Sequence, residues 1–140
     1  MNILVVDAQG GGIGRQVIAA LKKNNVGATI LAVGTNSIAT QAMLKAGADQ
    51  AGTGENAVVV ASKMADYIIG PIGIVITDSL MGEITETIAA AIGRSSATRL
   101  LIPTNQCHNM IMGIEEYNLS KFIDHVLNCL KLNRNGSTGS

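Results

Sequence analysis

The stretch Ile3-Leu4-Val5-Val6-Asp7-Ala8-Gln9-Gly10-Gly11-Gly12-Ile13-Gly14-Arg15-Gln16 decides the fold. Its first four residues are apolar and mostly β-branched, and the run stops at Asp7 and then at glycines. A continuous apolar run bounded by turn residues is the pattern of a strand buried on both faces, as in a parallel sheet. Past the glycines the period changes. Ile13, Val17, Ile18 and Leu21 recur at helical spacing, and Lys22 and Lys23 close the stretch with cations that suit a helix C-terminus. Residues 3–24 therefore read as strand, glycine loop, helix.

The alternation continues outward. Residues 29–33 form a second apolar run, stopped by Gly34-Thr35-Asn36. Asn36 or Ser37 is placed to cap a helix carrying Ile38 and Ala42. Residues 49–54 read as a glycine-rich loop, and residues 55–64 as a helix. Residues 66–69 read as a third strand, ending at the turn dipeptide Gly70-Pro71. Residues 72–81 and 84–92 are expected as two helical pieces separated by Gly82. Residues 99–102 make a fourth strand, halted by Pro103, and residues 109–112 are expected as a fifth. The six residues 103–108 are too few for a parallel crossover, so that last pair must be antiparallel. Leu119, Phe122, Ile123, Val126, Leu127 and Leu130 form one stripe of a final helix. Residues 133–140 are polar and read as a flexible tail. The whole predicts an α/β fold: a Rossmann-like three-layer sandwich, one domain over residues 1–132. The expected strand order is 2-1-3-4-5, mostly parallel with an antiparallel edge strand.

Composition excludes several classes. The chain has 140 residues, of which 47% are hydrophobic and 14% charged, against about 25% charged in an average domain. Ten basic and ten acidic residues cancel, which argues against nucleic acid as a partner, since that footprint is a basic face. Two tyrosines, one phenylalanine and no tryptophan cannot make a base-stacking platform. No apolar run reaches the ~18 residues of a membrane span, and no secretory signal pattern opens the chain. Cys107 and Cys129 match neither a disulfide scaffold nor a zinc motif, so no metal is expected. A cytoplasmic protein follows, and the scarcity of surface charge predicts a homo-oligomer, dimer or higher.

In such sheets, ligands bind beyond the carboxyl ends of the strands. The loops there concentrate glycine, Asn, Thr and Gln. Gly10-Gly11-Gly12-Ile13-Gly14 leads from strand to helix, where backbone amides at a helix N-terminus attract a phosphate. Arg15 in the first turn adds a cation. The strict G-x-G-x-x-G spacing fails, because Arg15 stands where its last glycine would fall. A dinucleotide site also wants an acid near the end of the second strand. Gly34-Thr35-Asn36-Ser37 has none, and no Arg for an NADP 2′-phosphate, although Thr35, Asn36 and Ser37 can donate hydrogen bonds to one. Asp7 could hold a ribose hydroxyl, a metal-bound water or the loop's own amides.

The predicted site is therefore Asp7, Gln9, Gly10, Gly11, Gly12, Ile13, Gly14 and Arg15 for phosphate, with Thr35 and Asn36 for ribose or base. Gly70, Pro71, Thr104 and Asn105 are expected as the far wall. The expected ligand is a small phosphate-containing molecule: NAD, NADP or another nucleotide. Two other functions stand beside this one. Cys107 could serve a small hydrolase or transferase as its thiol nucleophile. Alternatively, the glycine loop is purely structural in an assembly module. Asp78, Glu83 and Glu86 read as favourable charges near helix starts and receive no chemical role.

The run from Val5 to Gln16 resembles the start of a small bacterial family catalogued as a domain of unknown function. So do Gly34-Thr35-Asn36-Ser37-Ile38-Ala39-Thr40, Lys45-Ala46-Gly47-Ala48-Asp49, Gly52-Thr53-Gly54-Glu55-Asn56, Gly70-Pro71-Ile72-Gly73-Ile74-Val75 and Gly82-Glu83-Ile84-Thr85. The resemblance covers about residues 2–130 and implies a Rossmann-like fold with no established activity. Ala8 stands where that family usually has glycine.

Overall fold

A computed structural model of the chain describes residues 1–105 and 108–134. Five parallel strands form the sheet: β1 (Asn2–Asp7), β2 (Thr29–Gly34), β3 (Gln50–Thr53), β4 (Tyr67–Pro71) and β5 (Thr98–Ile102). The helices are α1 (Gly12–Lys23), α2 (Ser37–Lys45), α3 (Glu55–Met64), α4 (Glu86–Arg94) and α5 (Leu119–Arg134). A short 3₁₀ turn, Ile72–Val75, follows β4.

The sheet order is 3-2-1-4-5, and all four pairings are parallel. This corrects the expected order 2-1-3-4-5 and its antiparallel edge. Two local features account for the difference. Residues 50–53, read as a loop, pair with β2 in the register Leu31 with Gln50 through Gly34 with Thr53. Residues 109–112 form no strand, and Met110 and Met112 are exposed.

Alternate side chains of each buried strand enter opposite layers. Ile3, Val5, Ile30, Ala32 and Ile69 pack with Val17, Ile18, Leu21 and Met43 of α1 and α2, and with Ile123, Val126 and Leu130 of α5. Leu4, Val6, Leu31, Val33 and Ile68 pack with Val58 of α3 and Ile88 and Ile92 of α4. The helix expected over residues 72–81 is absent. Asp78, Leu80 and Met81 have φ values of 65°, 56° and 59°, which a right-handed helix cannot contain. The chain instead closes a tight turn: Asp78 N–H donates to the Ile84 carbonyl at 2.7 Å, and Ile84 N–H to the Ser79 carbonyl at 3.3 Å. Leu80 and Ile84 anchor that turn in the core. Helix α5 runs through Arg134, and residues 135–140 of the expected tail lie outside the described residues.

Candidate functional site

Strand order reverses between β1 and β4. From β1 the chain moves outward to β2 and β3, then returns to place β4 on the other side of β1. The carboxyl end of β1 is thus a topological switch point, the position where such sheets leave a crevice.

Asp7 ends β1 and is only 5% exposed. Its carboxylate accepts the Ala8 N–H at 2.8 Å and the Gly14 N–H at 2.7 Å. Gly14 lies in the first turn of α1, and the residue at its N-cap, Gly11, has no side chain to cap with. Asp7 therefore performs from β1 the work of an N-cap side chain. Burial pushes its carboxyl above the ordinary value of 3.8. The N–H groups of Gly14, Ala8 and Ile13 pull it back, and the charge of Glu83 adds to the rise. Of the partners open to Asp7 in sequence, the loop's own amides are the ones it takes.

The loop glycines fall into two kinds. Gly11 has φ +71°, and a Cβ there would stand 2.9 Å from the Ala39 backbone. A Cβ on Gly14 would lie 2.6 Å from Met43 Sδ and 3.0 Å from Asp7 Cβ. These two glycines are demanded by the turn and by the packing of α1 on α2. Gly10 and Gly12 are exposed, lack a left-handed backbone, and a Cβ on either would meet nothing within 4 Å. Among the described residues, their N–H groups make no hydrogen bond. Arg15, one residue past Gly14, is exposed and has no ion-pair partner among the described residues.

The residue that sequence reasoning missed is Glu83. Its Oε1 accepts the Thr35 hydroxyl at 2.6 Å, the Asn36 side-chain amide at 2.7 Å and the Gln9 N–H at 3.1 Å. Asn36 also donates to the Gln9 carbonyl at 3.0 Å and caps α2 by accepting the Ala39 N–H at 2.9 Å. Burial opposes ionisation of Glu83, but the bonds from Thr35, Asn36 and Gln9 outweigh it and hold the carboxyl below its ordinary value. The loops after β1, β2 and β4 are thereby tied at one oxygen. No local signal marks this role, because Gln9 lies 74 residues away along the chain.

The structure thus brings Gln9, Thr35 and Asn36 together beside the glycine loop. It does not do so for the whole expected far wall. Gly70 and Pro71 are buried in the end of β4, where a Cβ on Gly70 would stand 2.5 Å from the Val6 carbonyl oxygen. Gly70 therefore serves sheet packing. Thr104 and Asn105 follow β5, one strand further out, and among the described residues no hydrogen bond joins them to the glycine loop. Cys107, the candidate thiol, lies outside the described residues. Cys129 is a free thiol and exposed on α5.

A large open groove, about 1120 Å³, lies elsewhere, between α3 and α4. Ser62, Lys63, Ala90 and Arg94 are among its lining residues. Among the described residues, none of those expected at the ligand site lines it. Among the described residues, no three metal-ligating side chains gather, and no helix is long and apolar enough to cross a membrane.

Over residues 2–135 the sequence matches a family described as a domain of unknown function, DUF3842. No curated protein matches it. Among solved structures, the chain is similar to that of a dodecameric FMN-dependent UbiX-like decarboxylase from Escherichia coli O157:H7. The identity is 14%, the TM-score 0.51, and the match covers 97% of this chain and 95% of that one. Identity this low speaks for a shared α/β fold.

Proposed function

The chain belongs to the DUF3842 family, and we propose that it binds a nucleotide or dinucleotide at the switch point, with the ligand's phosphate on the glycine loop. The observation that carries this is the pair Gly10 and Gly12. Nothing in the fold requires glycine at either position, yet both stand open with unused N–H groups at the N-terminus of α1. Glycine at such a place lets a ligand approach the backbone closely. Arg15 supplies the adjacent cation, and Thr35 and Asn36 the neighbouring polar wall. The solved neighbour is described as FMN-dependent, and FMN is a phosphate-bearing nucleotide. FMN therefore joins NAD and NADP as a ligand to test.

The functional unit is one domain, the expected residues 1–132 extended to the end of α5 at Arg134, assembled as a homo-oligomer. Ile38, Met81, Met110 and Met112 are each more than two-thirds exposed. All four belong to segments that follow the carboxyl ends of strands. A second copy of the chain is the partner that would cover them. Light scattering should return at least twice the monomer mass, and a clean monomer would overturn the assembly. The ligand reading is tested by thermal shift across FMN, NAD, NADP, ATP, coenzyme A and S-adenosylmethionine. A rise with at least one supports it, and flat curves for all of them defeat it.

A further inference from the structure

The end of β2 carries no acid of its own, and the fold supplies one from a distant segment. We propose that Glu83 is the acceptor for the 2′- and 3′-hydroxyls of an adenosine ribose, so that the site takes a dinucleotide with both of those hydroxyls free and rejects one bearing a 2′-phosphate. This inference rests on the nucleotide reading above.

Three observations carry it. First, Glu83 Oε1 is held by three donors, from Thr35, Asn36 and Gln9. Its Oε2 accepts nothing among the described residues, and the side chain is only half-buried. One oxygen orients the group while the other stands free to accept. Second, those three donors belong to the end of β2 and to the glycine loop. In doubly wound sheets, an acid at that place meets the ribose, while the phosphates sit on the first glycine loop. Third, the turn that delivers Glu83 holds Asp78, Leu80 and Met81 in left-handed backbone, a conformation unfavourable for residues with a Cβ. Buried Leu80 and Ile84 hold this strained turn in place on either side of Glu83. Strain of this kind clusters where a side chain must be aimed.

The chemistry sets the selectivity. A carboxylate accepts hydrogen bonds and donates none, so it suits a diol. A 2′-phosphate would bring a second anion against it, with Asp7 already adding negative charge nearby. Glu83→Gln keeps a carbonyl oxygen for Thr35, Asn36 and Gln9, and turns the free acceptor into an amide donor. It should therefore leave the three loops joined while removing the discrimination.

The test titrates NAD, NADP and FMN into the full-length wild type and into Glu83→Gln by calorimetry, with thermal melting to check that both are folded. The expected result is wild-type binding of NAD at least tenfold tighter than NADP, with a ratio near one in Glu83→Gln. Should that variant not fold, Glu83→Asp, which keeps the charge but draws it back, should weaken NAD binding with less change for NADP. Equal wild-type affinities, or a ratio unchanged in the folded variant, would overturn the role of Glu83 and leave the nucleotide reading intact. Binding of FMN alone would do the same. No binding of any of the three would overturn this inference, and thermal shifts flat for every nucleotide would remove the nucleotide reading as well.

Discussion

Gly12→Ala and Gly11→Ala add the same methyl group one residue apart, and opposite outcomes are expected. At Gly11 the methyl meets the Ala39 backbone at 2.9 Å on a residue with φ +71°. The left-handed backbone costs ~1–2 kcal/mol for a residue with a Cβ, and overpacking against backbone adds ~1–3 kcal/mol. The sum is roughly 2–5 kcal/mol. For a domain of this size, each kcal/mol lowers Tm by about 3–5 °C. Gly11→Ala should therefore melt lower by ~6–25 °C. At Gly12 the methyl meets nothing, the backbone is already helical, and the unfolded chain loses freedom. That substitution should stabilise by ~0.4–1 kcal/mol. Its cost falls on the ligand, because the methyl stands where a phosphate would approach the N–H. A loss of at least tenfold in affinity, about 1.4 kcal/mol, is expected for whichever nucleotide shifts the wild type. The assays are thermal melting of the unliganded proteins and calorimetric titration. Gly12→Ala melting as low as Gly11→Ala would refute the division of the glycines, and Gly12→Ala binding as tightly as wild type would refute the ligand's place on the loop.

Two further outcomes can be checked by unfolding. Asp7, raised by burial above 3.8, keeps its proton in the folded state after the unfolded chain has released it. Glu83, held below 4.5, does the reverse. Stability should therefore be lost as pH falls from about 4.5 through the folded value of Glu83. It should also decline as pH rises from 3.8 through that of Asp7. Urea midpoints across acid pH should show the second slope in wild type and not in Asp7→Asn, and an equal slope in both would assign it elsewhere. Ser62 is 2% exposed, and among the described residues its Oγ has no hydrogen-bond partner. Ser62→Ala removes an unpaired buried hydroxyl and should raise stability by about 1 kcal/mol, whereas a lower melting temperature would show that the hydroxyl is paired.

The elements visible in the sequence were those whose signal is local. The apolar runs at residues 3–6 and 29–33 become central strands, because burial on both faces requires consecutive apolar residues. Glu55–Met64 forms a helix as its length and flanks suggest, despite three consecutive valines. β3 escaped notice because Gln50, Ala51 and Thr53 are exposed, so this edge strand carries little apolar signal. It is placed by pairing with β2 and by the Thr40 and Thr53 hydroxyls, 2.7 Å apart. Residues 110–112 are apolar, but neither methionine is buried. Apolar character alone therefore overcounted the strands.

At the candidate site, the sequence by itself determined the glycine loop, its place between a buried strand and a helix, and the polar pair Thr35-Asn36. Those features depend on neighbours within a few residues, and periodicity reads such neighbours directly. Only the tertiary structure decided which glycines are structural, because that depends on Ala39 and Met43 in the neighbouring helix α2. Only the tertiary structure brought an acid to the end of β2. Glu83 reaches Asn36 across 47 residues and Gln9 across 74, through a turn whose left-handed residues no helical pattern announces. A hydrogen bond between segments so far apart leaves no periodic trace, because it exists only once the sheet has set the strand ends side by side.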